Sequence, residues 1–199
     1  LVFMPTEQDI LETCDRLEGK HFAATAILPL YARLPAAQQG RVYSVSGPKV
    51  VVATNVAETS LTIPGIRYVI DTGLARISQY QPGTRINSLP ISPVSQASAE
   101  QRMGRCGRVQ EGLCIRLYSE KDYEERPEYT APEILRSNLA EVILRMVYLR
   151  LGDPAQFPFI DRPHPRNIKD GYEALLELGA ITKSGRDYEL TPQGRRMAP

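Results

Sequence analysis

The segment KVVVAT, residues 49–54, constrains the fold more than any other part of the chain. Its three valines follow one another and are joined by an alanine, without the polar alternation of a strand that has one face in water. An unbroken apolar run of this kind is typical of a strand that is covered on both faces. The segment therefore predicts a parallel sheet with helices packed on both sides.

Further strand-like and helix-like segments alternate through the first 120 residues. The strand-like segments are LVFM (1–4), TAILPLY (25–31), RYVIDTG (67–73) and LCIRLY (113–118). Residues 7–18 have helical spacing, with Ile10, Leu11, Cys14 and Leu17 on one face, and residues 35–43 predict a second helix with Pro35 in its first turn. This alternation predicts an α/β fold in which right-handed crossovers join parallel strands.

Two segments depart from the alternation. Residues 75–91 contain two period-2 runs around Pro82-Gly83, which fits a type II turn, so we predict a β-hairpin that projects from the sheet. After residue 123 the sequence predicts a long helix at 132–150, a Pro-rich stretch, a second helix at 168–178, and a turn with a short strand. This order predicts two domains, 1–123 and 124–199, the second being a small, mostly helical winged-helix domain.

Positive charge is concentrated in the middle of the chain. Residues 60–118 contain seven arginines and three acidic residues, a net charge of +4, whereas residues 120–199 contain 12 basic and 14 acidic residues, a net charge of −2. Nineteen of the 24 basic residues are arginines, which suit bidentate recognition of phosphate or carboxylate. The middle of the chain is thus predicted to meet an anion.

The densest part of this region is QRMGRCGR, residues 101–108. On a continuous helix Gln101, Arg105 and Arg108 would share one face, where they could bind a polyphosphate and orient a water molecule. Gly104 and Gly107 each cost about 1 kcal/mol in a helix interior, which indicates that another part of the backbone approaches closely there. A solvated basic helix face is the alternative interpretation.

A second polar segment, ATNVAETSLTIPGI (53–66), follows the buried strand. Its hydroxyl groups at Thr59, Ser60 and Thr62 are predicted to lie beyond the carboxyl end of that strand, where open α/β sheets bind their ligands. They could bind phosphate or a nucleic-acid backbone. Alternatively, Asn55 and Thr59 could do no more than cap a helix.

Taken together, these segments resemble the second RecA-like domain of DEAH-box helicases of superfamily 2, running into the winged-helix domain. LVFMPTEQDI resembles motif IV, ATNVAETSLTIPGI motif V and QRMGRCGR motif VI. The resemblance covers nearly the whole chain, including the hairpin and the terminal LTPQGRRMA, and it is strongest to the bacterial HrpA-type RNA helicases.

The resemblance implies that the chain is the C-terminal lobe of an ATP-dependent RNA helicase. Arg105 and Arg108 would act as arginine fingers on the γ-phosphate of ATP, and Gln101 would help to position the attacking water. The cofactors would be ATP and Mg²⁺. The chain has neither a G-x-x-x-x-G-K-[ST] loop nor an Asp-Glu-Ala-His sequence, so the metal ligands are expected in an upstream RecA-like domain. The fragment alone is not expected to hydrolyse ATP.

The same resemblance assigns roles to five other residues. Tyr43 would stack on adenine, Thr62 would lie near the ribose or a metal-bound water, and Ser60 would sense the nucleotide state. Thr6 and Thr54 would hold the RNA backbone without reading its sequence, during 3′-to-5′ translocation and unwinding.

The expected partners are single-stranded or partly duplex RNA, with DNA as an alternative, and the upstream domain. A ribosome or another ribonucleoprotein is a further expected partner. The three cysteines lack metal-ligand spacing, and no apolar run reaches the roughly 18 residues of a membrane span. We therefore expect a cytoplasmic protein that does not bind a membrane and has no metal site of its own.

Several alternatives stay open at this level. The helix at 168–178 could read duplex DNA, although its net charge of −2 favours a scaffold role. Tyr80 near the hairpin tip could stack on a base or pack against a neighbouring domain. Cys106 is predicted to be a small core residue. The whole chain could also be a nucleic-acid-binding or ribosome-binding module without catalytic activity.

Overall fold

The computed structural model describes residues 1–108, 110–185 and 187–198. They form two compact units, Leu1–Ile77 with Ile91–Thr130, and Ser78–Pro90 with Ala131–Pro199. Along the chain the two units divide between residues 130 and 131, and the domain boundary at 123/124 stays a prediction. Residues 78–90 of the predicted hairpin group with the second unit rather than with the sheet.

The elements follow one another in an order that matches most of the predicted segments. Up to the last strand of the main sheet they are β1 Val2–Phe3, α1 Glu7–Glu18, β2 Ala26–Leu30, α2 Ala36–Gln39, α3 Arg41–Ser44, β3 Lys49–Ala53, α4 Val56–Thr59, β4 Tyr68–Asp71, β5 Leu74–Arg76, β6 Gln79–Gln81, β7 Ile86–Ser88, β8 Ile91–Pro93, α5 Gln96–Met103 and β9 Leu113–Arg116. The remainder are α6 Glu120–Glu125, α7 Glu133–Arg136, α8 Ala140–Leu149, α9 Pro165–Glu177, β10 Ile181–Ser184, β11 Asp187–Leu190 and α10 Pro192–Met197.

The first unit is built around a five-stranded sheet of order β2-β3-β1-β4-β9. All four neighbouring pairs are parallel, and the central strand β1 aligns Val2 with Val52 on one side and with Ile70 on the other. The predicted α/β class and its parallel RecA-like sheet are therefore confirmed.

Successive residues of β3 pack into different cores, as its unbroken apolar run predicts. Val51 shares a core with Ala57 of α4 and with Cys106, whereas Val52 packs on the opposite face against Ile10 and Cys14 of α1. Cys106 is thus a core residue, as predicted. Leu11 had been assigned to the buried face of α1, but its side chain is 47% exposed, so that assignment was wrong.

Local signals account for several differences in helix bounds. The helix predicted at 35–43 divides at Gly40 into α2 and α3, and Pro35 is the N-cap rather than a first-turn residue. The long helix predicted at 132–150 is also two helices, because the chain is extended at Ser137 and the Asn138 side chain accepts from the Ala140 N–H at 2.7 Å. α9 begins three residues earlier than predicted, where the His164 ring caps its first turn.

The second unit has its own core between α8, α9 and the β10–β11 ladder. Tyr172 of α9 stacks on Tyr188 of β11, with ring centroids 4.2 Å apart. The segment predicted as a turn and one short strand therefore contains two strands. The helix–helix–hairpin order matches the expected winged helix, and the winged-helix assignment itself stays a prediction.

The tip of the hairpin, β6 and β7, is held against α9. The Tyr80 hydroxyl donates to Asp170 at 3.2 Å, and the Gly83 N–H donates to the same carboxylate at 2.9 Å. Arg85 bridges the two remaining acids of that helix face, Glu173 at 2.5 Å and Glu177 at 2.6 Å. Tyr80 is buried, which supports the packing alternative over base stacking.

These contacts also bear on the proposed duplex-reading helix. The acidic side chains of α9 are engaged by the hairpin, so this face is not free to approach a phosphate backbone. Gly83 has φ +90°, as a Pro-Gly turn requires, although the loop closes one residue later, where the Arg85 N–H donates to the Gln81 carbonyl at 3.0 Å.

Candidate functional site

The arginine-rich segment is not one continuous helix. α5 ends at Met103 with Gly104 as its C-cap, so Arg105 and Arg108 lie in the loop that follows. Gly107 has φ +79°, a left-handed conformation that would strain any L-residue with a Cβ atom. A close backbone approach occurs at Gly107, as predicted, because a Cβ added at Gly112 would lie 2.5 Å from the Gly107 nitrogen. At Gly104 the nearest atoms are carbonyl oxygens of its own helix at 3.4 Å, so the prediction was wrong there.

Main-chain carbonyls in the last turn of α5 and at its C-cap nevertheless hold the two guanidinium groups beside the same pocket. Arg105 Nε donates to the Gln101 carbonyl at 3.3 Å, and Arg108 Nε donates to the Gly104 carbonyl at 3.2 Å. Arg108 Nη1 also donates to the Thr62 hydroxyl at 3.3 Å. The structure thus brings together three predicted site residues, Arg105, Arg108 and Thr62, around one small pocket with an apolar floor.

Within the described residues, no carboxylate oxygen lies within 4.0 Å of Arg105 or Arg108. The pKa of Arg105 is below its ordinary value, because partial burial and then the charge of Arg108 disfavour its protonated form. Two adjacent guanidinium groups without a carboxylate partner are suited to bind a multiply charged anion.

The third arginine of the motif, Arg102, has a different role that sequence reasoning missed. Its side chain is fully buried and bonds Asp71 at 2.7 Å and Glu58 at 3.0 Å. Its guanidinium also lies 4.8 Å from the centre of the Phe3 ring. Around the helix axis Arg102 lies about 100° from Gln101. This angle was the signal in the sequence that the Arg102 side chain points away from Arg105 and Arg108.

Asp71 extends this buried ion pair into a hydrogen-bond network. Its carboxylate accepts from the Gly73 N–H at 2.8 Å and from the Tyr118 hydroxyl at 2.9 Å. Burial, and then the charge of Asp71, raises the pKa of Tyr118. Ser98 of α5 donates to Glu58 of α4 at 2.6 Å. The network fixes α4 against α5, and these helices lead directly into the loops of Thr62 and Arg105.

The predicted site residues are divided between the two ends of the parallel strands. We call these ends the amino edge and the carboxyl edge of the sheet. Thr62 lies between α4 and the amino end of β4, and the two arginines lie before the amino end of β9. Tyr43 belongs to the same edge, because it precedes the amino end of β3 and its side chain is half exposed. Thr6 and Thr54 follow the carboxyl ends of β1 and β3. The expectation that Thr62 lies at the carboxyl edge was wrong.

The two threonines at the carboxyl edge already make local contacts. Thr6 caps α1, where its hydroxyl accepts from the Asp9 N–H at 3.1 Å and donates to the Asp9 carboxylate at 2.5 Å. Thr54 accepts weakly from the Val56 N–H at 3.5 Å. Asn55 is the N-cap of α4 but its side chain makes no capping bond, which does not support the capping alternative there.

Across residues 1–108, 110–185 and 187–198, no three His, Cys, Asp or Glu side chains are grouped so that they could hold a metal ion. In the same part of the chain, none of the helices has the length and apolar character needed to cross a membrane.

The chain belongs to the family of helicase conserved C-terminal domains, which matches residues 1–110. It is 59% identical over its whole length to the ATP-dependent RNA helicase HrpA of Escherichia coli and 55% identical to the HrpA homolog of Haemophilus influenzae. It is 40% identical to the human ATP-dependent RNA helicase DHX33. The chain spans 16% of each bacterial relative and 29% of the human one.

Solved structures show the same fold. The crystal structure of the Escherichia coli DEAH/RHA helicase HrpB matches 99% of the chain with a TM-score of 0.88 at 34% sequence identity, and the match covers 25% of that helicase. A second crystal structure, of the Escherichia coli DExH-box NTPase HrpB, gives a TM-score of 0.83 at the same identity.

Proposed function

We propose that the chain is the C-terminal helicase lobe of an ATP-dependent DEAH-box RNA helicase, and that it completes an ATP site built mainly by an upstream domain. The observation that carries this proposal is the pair Arg105 and Arg108, held beside the same pocket and without a carboxylate partner among the described residues. The names of the relatives, which are ATP-dependent RNA helicases, agree with it.

Phosphoryl transfer places growing negative charge on the oxygens around the γ-phosphorus, and fixed positive groups stabilise that charge. Arg105 and Arg108 would supply such groups, and the side chain of Gln101 would orient the attacking water. Gly107 and the buried Arg102 would act indirectly, by fixing the backbone that carries the fingers. The phosphate loop and the ligands of Mg²⁺ would come from the upstream domain.

The rest of the amino edge would hold the nucleoside. The half-exposed ring of Tyr43 would stack on adenine, Thr62 would lie near the ribose or a metal-bound water, and Ser60 would respond to the nucleotide state. The resemblance to DEAH-box helicases would place a ribose-contacting aspartate at the position that Pro64 occupies in this chain. We therefore propose loose discrimination between nucleotides.

RNA would bind at the other edge of the sheet. Thr6 and Thr54 would contact phosphates of single-stranded or partly duplex RNA without reading its sequence, and DNA would be an alternative substrate. A cleft between this lobe and the upstream RecA-like domain would close on ATP and reopen after hydrolysis, and this cycle would move the protein along the RNA strand in the 3′-to-5′ direction. The second unit would be a winged-helix domain with a scaffold role. The whole protein would be cytoplasmic, and a ribosome or another ribonucleoprotein would be a further partner.

The test is RNA-stimulated ATP hydrolysis by the full-length protein with Arg108→Ala. Removing an arginine finger typically lowers the rate of phosphoryl transfer by about 10³-fold or more, whereas RNA affinity should be kept. Arg108→Lys should not restore the rate, because an ammonium group cannot reproduce the bidentate fork. Arg16→Ala is the matched control, since it removes the same charge from α1 on the opposite face of the sheet.

If Arg108→Ala lost RNA affinity together with ATP hydrolysis, the arginines would bind nucleic acid rather than the γ-phosphate of ATP. Unchanged hydrolysis in Arg108→Ala would favour a binding module without catalytic activity. Thr54→Ala provides the converse measurement, since it should weaken RNA binding and leave the basal hydrolysis rate, measured without RNA, as it is in the wild type.

A further inference from the structure

Tyr43, the residue proposed to stack on adenine, lies on a helix of a single turn. α3 contains only the four residues Arg41–Ser44. One turn fixes several backbone angles for very few hydrogen bonds, so it is not stable by itself. Contacts from outside α3 must therefore hold the turn that presents the Tyr43 ring.

One of these contacts is apolar. Val42 is fully buried in the same core as Val51 of β3, whereas the next residue, Tyr43, is 47% exposed. Burial of Val42 fixes one side of the turn. It does not satisfy the carbonyl groups at the end of α3, which lack partners within the helix, as they do in every helix.

Lys49 supplies the second contact. Its Nζ donates to the Val42 carbonyl at 2.6 Å, across the loop of residues 45–48 that joins α3 to β3. In the part of the chain that the structure describes, no carboxylate oxygen lies within 4.0 Å of this ammonium group. Lysine side chains near the carboxyl end of a helix commonly bond its last carbonyls. The Lys49 ammonium therefore serves α3 rather than an ion pair.

The sheet fixes the position from which Lys49 reaches α3. Lys49 is the first residue of β3 and aligns with Ala26 of β2. Because side chains alternate along a strand, Lys49 lies on the same face as Val51, which shares its core with Val42. The end of a paired strand thus holds the Val42 carbonyl in place.

We propose that Lys49 is the positioning residue for the Tyr43 ring. The carbonyl that Lys49 holds belongs to the peptide group between Val42 and Tyr43, so its orientation sets the direction in which the Tyr43 side chain leaves the backbone. This inference rests on the proposed function, in which Tyr43 stacks on the base of ATP. Lys49 acts only through Tyr43, so its loss should weaken ATP binding and leave the chemical step unchanged.

ATP hydrolysis by the full-length protein at saturating RNA tests this role, with kcat and the KM for ATP measured separately. Tyr43→Ala should raise the KM by about 10-fold, because it removes the ring on which the base stacks. Lys49→Met, and Lys49→Gln, whose side chain is neutral and one atom shorter, should each raise the KM by about 5-fold and keep kcat within about 2-fold of the wild type.

Two further variants separate positioning from loss of charge. Lys49→Arg should keep the KM within about 2-fold of the wild type, because a guanidinium group can also donate to the Val42 carbonyl. Lys121→Met is the matched control, since it removes the same charge from an exposed position of α6 and should change neither constant. A KM as high in Lys49→Arg as in Lys49→Met would rule out the bond to Val42 as the cause.

A double-mutant cycle shows whether Lys49 acts through Tyr43. Lys49→Met added to Tyr43→Ala should leave the KM within about 2-fold of that of Tyr43→Ala alone. Multiplied effects, about 50-fold in total, would mean that Lys49 acts on the nucleotide by another route. An unchanged KM in Lys49→Met would mean that the bond only stabilises the fold. Either result would overturn the positioning role and leave the stacking role of Tyr43 intact, whereas an unchanged KM in Tyr43→Ala would overturn both.

Discussion

Neutralising Asp71 should destabilise the first unit strongly, because it leaves a buried positive charge with one partner fewer. Both Arg102 and Asp71 are inaccessible to solvent, and their charged atoms are 2.7 Å apart. Breaking a buried ion pair by removing one partner costs about 3–5 kcal/mol. Since Glu58 stays 3.0 Å from Arg102, we expect Asp71→Asn to cost about 3 kcal/mol, the lower end of that range.

The pair is best tested by a double-mutant cycle. Asp71→Asn, Arg102→Met and the double variant are unfolded in urea and followed by far-UV circular dichroism, with hydrogen exchange in β4 peptides to assign the loss to the first unit. The double variant should be less destabilised than the sum of the two single variants by about 2 kcal/mol, because neither charge is then left alone. Agreement with simple additivity to within about 0.5 kcal/mol would refute this reasoning.

A surface pair in the same unit provides the control. Arg116 and Glu100 are 2.6 Å apart, slightly closer than the buried pair, yet both side chains are partly exposed. Glu100→Gln should therefore cost no more than about 1 kcal/mol. A cost as large as that of Asp71→Asn would mean that burial does not set the energy of these pairs.

Three smaller predictions follow from local geometry. Thr6→Ala should cost about 1 kcal/mol of stability because it removes the cap of α1, whereas Thr6→Ser should not, as thermal unfolding would show. Gly107→Ala should lower the free energy of unfolding by about 1–2 kcal/mol, because alanine is strained at a φ of +79°. Gly107→Asn should lower it less, since asparagine tolerates a left-handed backbone; equal losses for the two variants would contradict this. Burial raises the pKa of the Cys114 thiol to about 11, so its alkylation by iodoacetamide should keep rising with pH beyond 9; a plateau near pH 9 would contradict this.

Much of the fold could be predicted from the order of residues. The unbroken valines of β3 require cover on both faces, and the structure provides two cores there. The bounds of α1 agree with the prediction because Thr6 and Asp9 form a local cap and the apolar spacing is helical. These features depend on neighbours within a few residues, and for that reason a sequence pattern contains them.

Other features depended on contacts between distant residues. Arg102 looks like its neighbours Arg105 and Arg108 in the sequence, yet it is buried because Asp71 and Glu58 reach it from two other elements. From the sequence alone, Tyr80 could equally have been a free ring for stacking on a base. In the structure its hydroxyl donates to Asp170, which is 90 residues away along the chain. Such partners are brought together only by packing.

The sequence by itself determined the class of fold, the order of the elements and the position of the arginine-rich segment, because these rest on short-range patterns of apolar, glycine and arginine residues. Only the tertiary structure decided which arginines face solvent, which end of the sheet each candidate residue occupies, and which unit holds the hairpin. The physical reason is that burial and charge pairing are properties of the whole packed arrangement. A side chain's neighbours in space, rather than its neighbours along the chain, set whether its charge is stabilised inside the protein or left available for a ligand.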